Sequence, residues 1–328
     1  MNRSTVRRMT MTMNSTVNGI PRILILGNGL NLAYGSRSVS WKNLITDGTD
    51  QNVPDTITVP LSLEVVLRTG NHALEVLRRR RSELYGRVDT EELRTALQEL
   101  LSLGFDEILT TNYSYELEEA ALGIEEAEDK DLVKLMKSTT GFIDRKYLLH
   151  SFHEVKTGEV TNRIWHIHGE ARKPSSMILD HYQYGALLNR FVNFCRWREM
   201  ERGADEPRLA EKESWLDVFL DADVYILGQG FDFAEMDLWW LLNRKNMEKK
   251  RRRVFFYEPR TDREYDAKIE LMKLYGAVPR SLGFSMIPKP AHAAEDEVQY
   301  EYLRQNSEIF KSFYKAAIAD IKAHMQKH

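Results

Sequence analysis

The chain has 328 residues, 42% of them hydrophobic and 29% charged, with a formal net charge of −3. That is a globular composition, long enough for one large domain or two small ones, and the charge makes no overall case for a nucleic-acid binder. One cysteine, Cys195, excludes an intramolecular disulfide and any four-cysteine zinc site and fits a reducing cytoplasm, and no apolar run approaches the roughly 18 residues that a membrane span needs.

The first 20 residues are basic and polar without an apolar core segment. They read as a flexible arm rather than a secretory signal, with an organelle transit peptide as the alternative and Met9, Met11 and Met13 as further possible starts. "RILILGNGL" (22–30) is an apolar run followed by glycines, the pattern of a buried parallel strand entering a tight turn. A helix or loop follows, with Trp41, Leu44 and Ile45 at helical spacing. The stretch 61–103 carries Leu63, Val66, Leu67, Leu74, Leu77, Leu93, Leu97, Leu100 and Leu101 in a helical pattern. "DEILTTN" (106–112) reads as a second strand and 115–138 as one acidic helix. The stretch 146–170 reads as two strands around a "KTGE" turn, and 180–220 as helical and aromatic-rich. "ADVYILGQGF" (222–231) is a third buried strand, with a helix after it. "RRVFFYEP" (252–259) is a fourth strand, stopped by Pro259. From Glu297 to about Met325 runs an amphipathic helix through Leu303, Phe310, Phe313, Ala317 and Ile321.

Buried strands alternating with helices predict an α/β fold with a parallel sheet. Three regions are expected: the arm over 1–20, a sheet domain over 21–285 with helical insertions at about 61–103 and 180–220, and a C-terminal helical segment over 286–328. The basic runs at 78–81 and 249–253 read first as solvated helix ends and second as polyanion contacts.

Two glycine turns follow strands. Gly27-Asn28-Gly29 lets backbone N–H groups approach a phosphate, but Leu32 stands where the dinucleotide fingerprint has its third glycine. Gly228-Gln229-Gly230 is the second. In a doubly wound sheet both turns, the Thr110-Thr111-Asn112 junction and the end of "FFYEP" meet at the carboxyl edge, which suits a pyrophosphate-bearing nucleotide. Asn112 offers a carbonyl and an amide, either to orient a water or ribose hydroxyl or to cap the following helix. In "WHIHGE", His166 and His168 share one strand face, opposite Trp165 and Ile167. No further ligands accompany them as a metal pair. His168, at the strand's end, is placed as a general base, and His166 as a neighbour or packing residue.

"ILGNGLN", "LTTNYSYELE", "HIHG" and "YILGQGFDFAEMDLWWLL", in this order over about residues 22–260, resemble the sirtuin (silent information regulator) family, and within it the bacterial NAD-consuming domains of antiphage defence more than the protein deacylases. The resemblance implies a Rossmann-like NAD+ site with an inserted helical module. It assigns Gly27, Asn28 and Gly29 to the phosphate turn, Asn112 to the nicotinamide ribose and its attacking water, and His168 to the base. Gly228, Gln229 and Gly230 fall near the adenosine half, with Glu258 placed by position at the adenine ribose. Asn31, Thr110, Thr111, Tyr113 and Ser114 complete the cofactor-binding set. The lone cysteine departs from the zinc module of the deacylases. Ser114 stands where family members often carry Asp, and a helical offset is expected to point nearby Glu116 elsewhere.

The implied activity is hydrolysis of NAD+ to nicotinamide and ADP-ribose without a metal, by a cytoplasmic defence effector silent until triggered, as a homo-oligomer or with a partner protein, and with no nucleic-acid or membrane contact. A nucleotide sensor, a deacylase and, more distantly, a metal hydrolase using both histidines are the rival readings. The helix over 180–200, the Trp239-Trp240 pair and the C-terminal helix are candidate contact surfaces, with core packing as the alternative for each.

Overall fold

The computed structural model describes residues 20–34, 58, 60–62, 64, 84–202, 214–248, 252–260, 263–288 and 296–327. The N-terminal arm, the Trp41 segment, Val66 to Leu77 and the 78–81 basic run lie outside the described residues, as do positions 249–251 of the second basic run.

Eight strands form one sheet: β1 (Arg22–Leu26), β2 (Glu107–Thr110), β3 (Met136–Ser138), β4 (Ser151–Thr157), β5 (Val160–His166), β6 (Asp223–Leu227), β7 (Val254–Tyr257) and β8 (Ala277–Arg280). Their order is β3-β4-β5-β2-β1-β6-β7-β8. From β5 across to β8 every pairing is parallel, while β3–β4 and β4–β5 are antiparallel. The sheet is therefore Rossmann-like, with an antiparallel margin. From β1 the chain winds out to β2 and beyond; it then returns to the other side of β1 as β6 and winds outward through β7. The switch in winding direction falls between β1 and β6, where α/β sheets open a crevice at their carboxyl edge.

Apart from polar residues at their ends (Arg22, Glu107, Thr110 and Asp223), the central strands are apolar because both faces are covered. Ile23, Ile25, Val224, Ile226, Val254 and Phe256 point to one face, where α5 (His181–Arg202), α6 (Trp215–Asp221) and α7 (Met236–Met247) supply Phe191, Trp215, Phe219 and Leu238. Leu24, Leu26, Tyr225, Leu227, Phe255 and Tyr257 point to the other. That face is closed by α1 (Gly29–Ala33), α2 (Glu91–Ser102), α3 (Glu116–Leu122) and the long α9 (Asp296–Lys327). α9 buries Phe313, Tyr314, Ala317, Ile318 and Ile321 there, so much of its apolar stripe is core. Trp239 is likewise buried and Trp240 packs against the core, whereas Tyr182, Trp197 and Met200 of α5 are exposed.

Several expected elements differ. The helix expected over 115–138 is broken. Gly123 takes a left-handed φ of 70° and caps α3, α4 (Asp129–Leu135) restarts behind a capping box on Glu128, and the last residues turn into β3. The helical reading of 61–103 is interrupted at Gly86, whose φ is 73°, and α2 starts afresh at Thr90, whose hydroxyl accepts from the Leu93 N–H. Sequence reading missed α8 (Arg263–Leu274) and the edge strand β8, which tolerates Pro279 at the sheet margin.

One buried cation anchors the return into β6. Lys245 of α7 donates from Nζ to the carbonyls of Phe219 (2.7 Å), Leu220 (3.3 Å) and Ala222 (2.6 Å), closing the carboxyl end of α6. Replacing it by methionine keeps the stem and orphans three buried carbonyls, so Lys245→Met is expected to cost about 2–3 kcal/mol of stability in chemical denaturation. A loss under about 0.5 kcal/mol would show that water replaces the ammonium.

Candidate active site

The two glycine turns are knitted together. Gly27 N–H donates to the Leu227 carbonyl at 2.9 Å, and Gly29 N–H to the Gly228 carbonyl at 2.8 Å. A Cβ on Gly27 would stand 2.4 Å from both the Gly228 carbonyl oxygen and Gln229 Oε1, so the strand ends can approach this closely only without a side chain there. Over them, at the switch point, lies a cavity of about 350 Å³.

Ten of the residues expected at the site line this cavity. Asn28 and Gly29 come from the first turn, and Gly228, Gln229 and Gly230 from the second. Thr111, Asn112, Tyr113 and Ser114 come from the loop after β2, and His168 from the end of the β5 segment. Four lie outside the lining. Gly27 sits beneath the turn. Asn31 is buried and donates to Asn28 Oδ1 at 3.2 Å. Thr110 donates to the Leu26 carbonyl at 2.9 Å and accepts from the Asn112 N–H at 3.1 Å, which fixes the loop rather than a ligand. Glu258 is ion-paired with Lys268, which also donates to the Gly230 carbonyl at 2.8 Å.

Asn112 does not cap a helix. α3 begins at Glu116 with Tyr115 as its N-cap and no side-chain cap bond. Among the described residues no hydrogen bond engages the Asn112 side-chain amide, while its main-chain carbonyl faces His166 Nδ1 at 2.8 Å. The Tyr113 hydroxyl donates to the Ile178 carbonyl at 2.7 Å. Burial raises its pKa, helped by Glu235 and Asp237.

The two histidines divide their work. Trp165 and Ile167 enter the core, as the alternation predicts, but β5 ends at His166, and each imidazole meets its own acid. His168 Nε2 lies 2.8 Å from Asp237 Oδ2, with both groups buried and the Tyr184 ring edge-on to the imidazole. Burial pushes the His168 pKa down, the Asp237 carboxylate outweighs it, and the result is raised. In the neutral ring Nε2–H donates to Asp237, which leaves Nδ1 as the basic nitrogen.

Glu235 and Asp237 escaped the sequence reading. Both lie at the amino-terminal end of α7, where the helix dipole favours carboxylates. The available signal was the strand–glycine turn–helix unit with two acids at the helix start. Gln229 Nε2 donates to both Glu235 oxygens (2.7 and 2.8 Å), and Gln229 Oε1 accepts from the Thr111 hydroxyl at 2.8 Å, so Glu235 sets the orientation of a cavity-lining amide. Glu116 also departs from expectation. Its carboxylate accepts from the Ser114 hydroxyl instead of pointing away, and Gly86 makes room for it.

A doubly wound sheet with paired glycine turns over a cavity at its switch point defines a Rossmann-like nucleotide-binding protein. Residues 106–277, just over half of the chain, match the SIR2-like domain family, and the protein belongs to that family. A sirtuin-related NAD-binding function goes with that membership. The match spans Asn112, His168, Gly228 and Asp237 and begins after the Gly27 turn. No curated relative matches the chain. Among the described residues no helix is long and apolar enough to cross a membrane.

Burial raises the Glu235 pKa from 4.5 to about 7, with Asp237 adding to the rise and His168 opposing it. The folded state therefore favours the protonated acid. Ionisation costs no stability below the ordinary value, a growing amount between 4.5 and 7, and its full amount above. Glutamine cannot ionise. The stability of Glu235→Gln relative to the parent is thus expected to improve by about 3 kcal/mol between pH 4.5 and 8, measured by denaturant unfolding at both ends. A pH-independent difference would mean that Glu235 titrates normally.

Proposed function

We propose that the protein is an NAD+ glycohydrolase. The observation that carries this reading is the placement of Asn112 and His168, the latter paired with Asp237 behind it, on one cavity beside the knitted glycine turns. The turns bind the pyrophosphate through main-chain N–H groups other than those of Gly27 and Gly29, which are bonded to the neighbouring turn. The side-chain amide of Asn112 orients a ribose hydroxyl or the attacking water. The bond between C1′ and the nicotinamide nitrogen breaks through an oxocarbenium-like state, and nicotinamide leaves as a neutral base. The water oxygen bonds to C1′, its proton passes to His168 Nδ1, and Asp237 stabilises the imidazolium that forms. The products are nicotinamide, ADP-ribose and one proton released to solvent.

Substrate specificity rests on the ribose and pyrophosphate contacts, and the single cysteine speaks against the zinc-containing deacylase variant. The motif resemblance supports a further step: an effector of bacterial antiphage defence that depletes NAD+, held silent in the cytoplasm until an oligomer forms or a partner protein acts. One observation favours a second reading, a non-catalytic NAD+ or ADP-ribose sensor. Ser114, in place of the family's usual aspartate, has its hydroxyl tied to Glu116.

Nicotinamide release, followed by chromatography, tests the proposal. Asn112→Ala is expected to lose roughly a hundredfold or more in turnover. Asp237→Asn should lower kcat about tenfold or more with KM little changed, because it acts through the base and not on ground-state binding. Full turnover in Asn112→Ala would remove that residue from the mechanism. NAD+ binding measured calorimetrically in the same samples, without any release, would favour the sensor.

A further inference from the structure

Next to Asn112 lies a second group of side chains that the proposed reaction does not use. Glu118 stands on α3, His153 on β4, His166 at the end of β5 and Glu170 just beyond it, all at most 2% exposed. His166 Nδ1 is 2.8 Å from the Asn112 carbonyl oxygen, and its Nε2 is 2.9 Å from Glu118 Oε1. His153 Nδ1 is 2.6 Å from the same Glu118 oxygen, and its Nε2 is 3.3 Å from Glu170 Oε2.

Both nitrogens of His166 thus face oxygen acceptors, whereas His153 Nε2, though 3.3 Å from Glu170, makes no hydrogen bond. A neutral imidazole has one N–H. In His166 the carbonyl of Asn112 can only accept, so it takes that N–H, and Nε2 turns its lone pair toward a carboxylate. A lone pair and a carboxylate facing each other in a buried space repel one another unless a cation, a proton or a metal ion, stands between them. Glu118 Oε1, His153 Nδ1 and His166 Nε2 all lie within 4.8 Å of one another. Glu118 Oε2 is buried without a hydrogen-bond partner. The neighbouring basic side chains, Arg172 and Lys173, are paired with Glu170.

We propose that Glu118, His153 and His166 form a structural site for a divalent transition-metal ion of the zinc class. Two imidazoles and one carboxylate are a donor set that zinc takes, with a fourth position left for water or for the second oxygen of Glu118. The outer contacts have the pattern that metal-bound histidines show: the remaining N–H of His166 falls on a main-chain carbonyl, and Nε2 of His153 stands 3.3 Å from the Glu170 carboxylate. Tyr115, whose hydroxyl lies 3.3 Å from Glu170 Oε2, steadies that carboxylate in turn. At bond lengths of about 2.0–2.1 Å, tetrahedral ligands stand about 3.3 Å apart, so the rings and Glu118 separate by about half an ångström around the ion. The buried ion is taken up as the chain folds. It ties α3, β4 and β5 together and, through His166, holds the main chain of Asn112. The site shares nothing with a four-cysteine module and does not depend on NAD+ cleavage.

Metal content of the full chain, freed of any affinity tag and purified without chelator, tests the proposal by mass spectrometry. About one zinc per chain is expected, with X-ray absorption showing nitrogen and oxygen ligands, an imidazole signature and no sulfur. Glu118→Gln and His153→Gln should each lose the ion, whereas Cys195→Ser should keep it. The absorption spectrum of the parent protein locates the ion even if the variants do not fold. Less than about 0.1 equivalent in folded protein, both as isolated and after refolding with excess Zn2+ or Co2+, would overturn the proposal and leave protons as the cations of the cluster. Retention of the ion by both substituted proteins would overturn it as well.

Discussion

The closeness of two strand ends governs this molecule. β1 and β6 run side by side at the switch of the winding direction, and the main chains of the turns that follow them touch. Contact at that distance excludes a Cβ at Gly27 and Gly29 and brings the main chain of both turns to the cavity edge. Everything polar in the site is arranged around this bare backbone. The loop after β2 comes in from one side and the start of α7 from the other.

The carboxylates divide into those that face the cavity and those that serve something behind it. Glu235 orients Gln229, and Asp237 orients His168. Glu118 engages two imidazoles, one of which touches the Asn112 main chain. The proposed catalytic amide and base thus each rest on a buried acid contributed by a different helix, α3 for Asn112 and α7 for His168. Neither acid needs to meet substrate to matter. Both sit where low dielectric strengthens a paired interaction and makes an unpaired one costly.

Sequence reading found the central strands and both glycine turns because each shows as an unbroken apolar run with a glycine pair after it. It also found the cavity-lining loop, since amides and hydroxyls at a strand end are conspicuous. It took "ELEEA" for part of an acidic helix and did not foresee its burial. Glu116, Glu118 and Glu119 are all buried, and their partners are Ser114, the two histidines and the Ala127 N–H. Those histidines lie 35 and 48 residues away, and no local pattern announces a pairing across that separation. The Asp237 partner of His168 is 69 residues off and was hidden for the same reason. β8 was missed because four residues ending in Pro-Arg carry too little alternation to register.

The C-terminal helix reaches back to the first strand and turn of the described fold. The Tyr314 hydroxyl would stand 2.5 Å from a Cβ on Gly29, Ser307 donates to the Ala33 carbonyl, and Arg22 donates to the Met325 carbonyl. The turn that opens the sheet is therefore braced by residues made almost three hundred positions later. During synthesis, β1 and its glycines leave the ribosome long before the helix that supports them, and contacts of such sequence separation form late. A nascent chain accordingly carries the pieces of a nucleotide site without the site itself. The brace on the first turn, and with it the finished cavity edge, exists only once that helix has docked.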